Sequence, residues 1–139
     1  MLNRPQGEQE SAIAKILSAY AHAIDDGDVD AVLACMSDDA VIEYEGGKHR
    51  LSGPSEIREF LRRALIGSST HLVSNILVEW GEDDANVRAS AIVCVTRLAG
   101  SVQVRGVVYR ARVIPSGDAW LIASLAHKST WQFSAPADP

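Results

Sequence analysis

Five side chains in this sequence combine acid–base chemistry with a placement that could use it. Tyr20 and Asp25 lie in Tyr20-Ala21-His22-Ala23-Ile24-Asp25, Tyr44 in Ile42-Glu43-Tyr44, His71 in Thr70-His71-Leu72-Val73, and His127 in Leu125-Ala126-His127. A neutral imidazole can take a proton from carbon, a carboxylate can fix its tautomer, and phenols can donate to a developing oxyanion. Each residue also has a plainer role. Asp25-Asp26-Gly27-Asp28 is ordinary turn chemistry. Tyr20 reads equally as a core aromatic with its hydroxyl tied off, and either histidine as a structural one. His49, between Lys48 and Arg50, reads as part of a solvated charge cluster.

Other chemistries find little support. No glycine-rich phosphate loop precedes a helix, and there is no nucleophile-elbow serine. Asp25, His71 and His127 have the composition of a two-histidine, one-carboxylate iron site, but nothing in their spacing requires them to converge. No metal site is therefore expected.

The elements that must hold these residues follow from hydrophobic period. From 8 to 26, Ile13, Ile16, Leu17, Tyr20, Ala21 and Ile24 recur at helical spacing, with Gly27 as a stop. This stripe turns Tyr20 inward, puts Asp25 near its edge and leaves His22 in solvent. Asp28 can cap a short second helix. Residues 40–51 read as a hairpin turned by Gly46-Gly47, and Gly53-Pro54 opens a third helix with Ile57, Phe60, Leu61, Ala64 and Leu65 on one face. Four long strands follow, over 71–80, 86–98, 102–114 and 120–133. Strand alternation puts His71, Val73, Asn75 and Leu77 on one face, and His127 with Leu125, Trp131 and Phe133 on one face. Gly106 is a candidate bend.

Helices followed by a meander make an α+β fold, a curved antiparallel sheet wrapped into a cone around the N-terminal helices. With 139 residues, the chain is expected to be one domain over 8–133, between disordered tails at 1–7 and 134–139. A net charge of -5 argues against a nucleic-acid surface or a basic membrane face. No apolar run approaches the ~20 residues of a bilayer span, and the polar start lacks a secretory h-region. Cys35 and Cys94 suggest neither a disulfide framework nor zinc. A cytoplasmic protein is the simplest expectation. Exposed Val102, Val104 and Val108 would favour self-association.

The pattern Tyr20-Ala21-x-Ala23-x-Asp25-x-Gly27-Asp28, then Asp38-Asp39-Ala40-Val41-Ile42, Gly53-Pro54-Ser55-Glu56-Ile57 and Thr70-His71-Leu72-Val73-Ser74-Asn75, resembles the SnoaL-like family of the nuclear transport factor 2-like superfamily. The resemblance implies a cystatin-like α+β barrel with an apolar pocket, cofactor-free and commonly a homodimer or homotrimer. It is nearest the scytalone dehydratase and hexachlorocyclohexane dehydrochlorinase branch. There, an aspartate ending the first helix pairs with a histidine opening the first long strand, and Asp25 and His71 match those positions. Tyr20 resembles the helix tyrosine of bile-acid dehydratases, and Tyr44 a tyrosine of scytalone dehydratase. The second histidine of scytalone dehydratase is missing, since Cys94-Val95-Thr96 stands in that strand, and His127 is the candidate to fill its place.

The resemblance implies a lyase or isomerase. His71 would be the general base oriented by Asp25. Tyr20 and Tyr44 would bind substrate, His127 would face the leaving group as an acid, and Trp131 would supply apolar wall. The substrate would be small and mostly apolar, cyclic compounds included. The superfamily leaves two other classes open. One is a non-catalytic binding or assembly subunit, which needs no cavity beside His71. The other is a polyketide cyclase or epoxide hydrolase, which would favour a second carboxylate.

Overall fold

Helices start and stop where the sequence supplies caps. The computed structural model describes residues 5–96 and 99–138. Helix α1 (Gln6–Asp25) begins on Pro5, whose carbonyl accepts from the Glu8 and Gln9 amides. It ends in a Schellman turn: Gly27 takes a positive φ and the Asp28 amide reaches back to the Ala23 carbonyl at 2.9 Å. Asp28 then caps α2 (Val29–Ala34), its carboxylate accepting from the Ala31 amide. Helix α3 (Gly53–Ala64) carries Pro54 in its first turn, and Glu56 reaches back to accept from the Ser52 amide at 2.7 Å.

Six strands form one sheet in the order β2-β1-β6-β5-β4-β3. They are β1 (Met36–Tyr44), β2 (His49–Ser52), β3 (Ser68–Trp80), β4 (Ala85–Thr96), β5 (Ser101–Ser116) and β6 (Ala119–Pro136). The α+β architecture is as expected, with three differences. The sheet is mixed, because β1 runs parallel to β6. The helix starts at Gln6, inside the expected N-terminal tail; residues 1–4 lie outside the described residues. At the other end, Ser134, Ala135 and Pro136 extend β6 by pairing with Gln103, Val102 and Ser101, so the expected disordered tail is strand over these residues. The expected end of the second long strand at 97–98 also falls outside the described residues.

One face of the sheet packs on α1, which lies against β3 and β6. Ile13 and Leu17 of α1 join Ile57 and Leu61 of α3 in a core with Ile42, Val113, Ile122 and Leu125. β-Bulges curve the strands over this core. On β3, Asn75 and Ile76 together oppose the single residue Ala89, and Asn75 takes φ 53. On β6, Ala123 and Thr130 are each the extra residue opposite β5.

Each bulge reverses the alternation beyond it. On β3, His71 and Val73 face inward, but past the bulge it is Ile76, Val78 and Trp80 that pack on the core. Leu77, expected beside His71, is instead exposed on the outer face. On β6, Leu125 and His127 face inward, whereas Trp131 and Phe133, beyond Thr130, stack on the outside. Gly106 lies directly beneath the Trp131 indole, where a Cβ would fall inside the ring.

Candidate active site

Asp25 is the last residue of α1, and the Schellman turn behind it points its carboxylate at the free edge of the sheet. That edge is β3, whose outward amides have no strand partner. The His71 amide donates to Asp25 Oδ2 at 2.9 Å, the His71 ring meets Asp25 Oδ1 through Nδ1 at 2.6 Å, and the Ser69 hydroxyl donates to Oδ1 at 2.8 Å. One carboxylate therefore ties a helix end to a strand edge and grips a histidine ring. Both side chains are shielded, His71 being 11% and Asp25 19% exposed. Burial pushes the Asp25 pKa up, but the His71 amide, the His71 ring and the Ser69 hydroxyl outweigh it and hold the carboxyl below its ordinary value. Nδ1 therefore carries the shared proton, and Nε2 has no partner among the described residues.

A second cluster is built by strand register. Tyr44 pairs with His127 across β1 and β6, and Tyr109 pairs with His127 across β6 and β5. The three rings form a row, Tyr44 stacked on His127 at 4.6 Å and Tyr109 edge-on to it at 4.8 Å. Tyr20 reaches the row from α1, its hydroxyl hydrogen-bonded to His127 Nε2 at 3.0 Å. The Tyr44 hydroxyl is a second hydrogen-bonding neighbour of Tyr20. Burial drives the His127 pKa down to about 3, against a pull from the Glu43 backbone. The ring is neutral at physiological pH. A neutral His127 carries no imidazolium proton, and its Nε2 is engaged with Tyr20. The proton donors here are the phenols. Burial raises Tyr44 to about 12 and pushes Tyr20 and Tyr109 up as well, keeping all three protonated.

Both clusters open onto one cavity of about 610 Å³. Its walls include Phe60, Leu61 and Leu65 from α3 and Val93, Val95 and Val107 from the sheet. Tyr20, Asp25, Tyr44, His71 and His127 all line it. Trp131 does not: the Thr130 bulge carries it to the outer face, 48% exposed. Two further residues were not singled out from the sequence, Tyr109 and Arg105. Strand parity would have found them, since 105, 107, 109, 111 and 113 share one face of β5, and Val107, Tyr109, Ala111 and Val113 are buried. Among the described residues no cluster of His, Cys, Asp and Glu side chains could hold a metal ion, and both cysteines are free.

A family model for the SnoaL-like domain matches residues 6–126. The chain belongs to the SnoaL-like domain family. This SnoaL-like protein has the nuclear transport factor 2-like fold, and solved structures share it over nearly their whole length. It is 26% identical to a proposed aromatic ring hydroxylase from Novosphingobium aromaticivorans, covering 97% of this chain and 96% of that one with a TM-score of 0.85. A proposed scytalone dehydratase from the same organism is 17% identical, with 96% and 94% covered and a TM-score of 0.83. A type 2 hexachlorocyclohexane dehydrochlorinase is 15% identical, with 95% and 90% covered and a TM-score of 0.80. No curated protein sequence matches the SnoaL-like chain significantly. No described helix is long and apolar enough to cross a membrane.

Proposed function

We propose that this SnoaL-like protein is a cofactor-independent lyase or isomerase acting on a small, mostly apolar molecule, with His71 as general base. The observation that carries the reading is the 2.6 Å bond from Asp25 to His71 Nδ1 at the wall of an open cavity. Nε2 takes a proton from carbon beside a carbonyl. The C–H pair becomes a C=C bond, and the leaving group departs with its own bonding pair. Asp25 stabilises the imidazolium as it forms, the orienting role of a triad aspartate. A protonated phenol, Tyr44 or Tyr109, donates to the carbonyl oxygen or to a departing hydroxyl. Likeness to a dehydratase and a dehydrochlorinase agrees with elimination. A subunit whose cone is filled by its own side chains would leave no open cavity beside His71, so the open cavity favours the enzyme reading.

The test is a panel of cyclic and acyclic β-hydroxy and β-chloro ketones, incubated in D2O and followed by NMR for elimination or deuterium uptake. Wild-type protein is expected to turn over at least one compound, with His71→Gln and Asp25→Asn slowed by about 10²-fold or more. Wild-type rates in either variant, or no compound reacting faster than in buffer, would overturn the proposal.

A further inference from the structure

The cavity wall carries a cation, Arg105, that makes no ion pair among the described residues. Among the described residues, Arg105 is the one lysine or arginine lining it. Its Nε is buried and has no hydrogen-bond partner, and no ion pair is made to it among the described residues. Arg105 also lines a neighbouring groove, which shares Glu45 and Ser129 with the cavity. Glu45 is the carboxylate at that shared rim; its Oε1 accepts from the Ser129 amide and hydroxyl, and it makes no ion pair with Arg105. Leaving a guanidinium donor buried and unsatisfied is costly, so its retention at a pocket wall points to a ligand that completes it.

Register gives the guanidinium a meaning. His71 pairs with Val93 across β3 and β4, and Val93 pairs with Arg105 across β4 and β5. The three residues form one row on the cavity face, base at one end and cation at the other. Two strand spacings separate His71 from Arg105, about 10 Å between backbones. Both side chains lean into the same space over the small apolar floor of Val93.

We propose that Arg105 anchors a substrate carboxylate and thereby fixes the reacting carbon over Val93, facing His71 Nε2. A guanidinium presents paired N–H donors that match the two oxygens of a carboxylate, which makes it selective for that group over a single neutral acceptor. The substrate class is then a small, mostly apolar carboxylic acid whose acidic C–H lies a few atoms from the carboxylate. Arg105 is the specificity determinant. The role of the carbon in this statement rests on the general-base reading of His71, whereas the anion site does not.

The experiment uses benzoate and its neutral isostere benzamide as probes, with binding read by NMR titration on wild type, Arg105→Gln, Arg105→Lys and His71→Gln. Wild type is expected to bind benzoate roughly tenfold or more tighter than benzamide. Arg105→Gln abolishes the preference by weakening benzoate alone, Arg105→Lys keeps part of it, and His71→Gln keeps it in full. Equal affinity for the two probes in wild type overturns the proposal without any variant, and so does the absence of benzoate binding at 10 mM, about the weakest affinity such a pair could give. An unchanged preference in Arg105→Gln overturns it too. If the preference depends on Arg105 but the ketone panel and its carboxylate-bearing analogues show no elimination, the anion site stands and the general-base reading falls.

Discussion

The carboxylate of Asp25 accepts from both the backbone amide and the ring Nδ1 of His71, at 2.9 and 2.6 Å. One residue thus fixes the position of the strand and the tautomer of the side chain it carries. Because Ser69 donates to the same Oδ1, its hydroxyl supports the pair without touching substrate. Ser69→Ala should cost about 1 kcal/mol of stability and raise the Asp25 pKa. It should slow turnover far less than Asp25→Asn. Urea unfolding and a carboxyl titration by NMR check both statements. An Asp25 titration identical in the variant would show that the Ser69 bond is not made in solution.

Acid sensitivity should arrive in two stages with the same sign. His127 has a folded pKa of about 3, below its unfolded value of about 6.5. Its contribution to stability is complete above about 6.5 and is lost as pH falls toward about 3. Asp25 is also depressed, so its contribution is present above the ordinary aspartate value and is lost only as pH falls through the lower folded one. The urea midpoint should therefore decline below about pH 6.5, at no more than about 1.4 kcal/mol per pH unit for one proton, and keep declining below about pH 4. His127→Gln, which keeps an acceptor for Tyr20, should flatten the upper part and leave the lower. A midpoint flat between pH 6 and 4 in wild type would mean that His127 is not buried neutral.

Much of this site is legible in the sequence because it depends on helix phase and strand openings. Tyr20 and Asp25 follow from one apolar stripe ending at Gly27. His71 opens its strand before any irregularity intervenes, so its face follows from simple alternation. Positions beyond a bulge are another matter. Leu77 and Trp131 were expected to share the faces of His71 and His127, and both lie on the opposite side because Asn75-Ile76 and Thr130 each insert one residue. A bulge costs one amino acid and carries no strong compositional mark, yet it inverts every later side chain. The parallel pairing of β1 with β6 is equally silent, since it joins the two most distant ends of the domain. Arg105 was overlooked for a different reason: an arginine in a strand reads as solvent-facing, and only the burial parity of its neighbours shows otherwise.

Trp131 and Gly106 form a matched pair on the outer surface, the indole occupying the space a side chain would need. Gly106→Ala should displace the ring and cost about 1–3 kcal/mol. Trp131→Ala should remove most of that penalty, so that the double mutant is more stable than the sum of the two single effects. Trp131 shares the groove beside the cavity with Arg105, and the coupling should hold whether or not benzoate is bound. A double-mutant cycle on thermal unfolding, with benzoate titration alongside, tests this. Additive effects would mean that the alanine is absorbed elsewhere.

Asn75 is the residue on which the phase of β3 turns. Its φ of 53 lies in the left-handed region, which asparagine tolerates and β-branched residues do not. Asn75→Gly should be near neutral, and Asn75→Val should cost at least about 1 kcal/mol. Deleting Asn75 is a sharper test. Without the extra residue, regular alternation from His71 by itself keeps Ile76, Val78 and Trp80 on the inner face, and Trp80 keeps its place 5.9 Å from Trp120. The deletion should therefore fold with the wild-type tryptophan fluorescence and lose only the stability that the bend of the bulge contributes, and Asn75→Gly should retain that fluorescence as well. A deletion variant that unfolds or exposes Trp80 would mean that the bend at Asn75, and not alternation alone, seats β3 on the core.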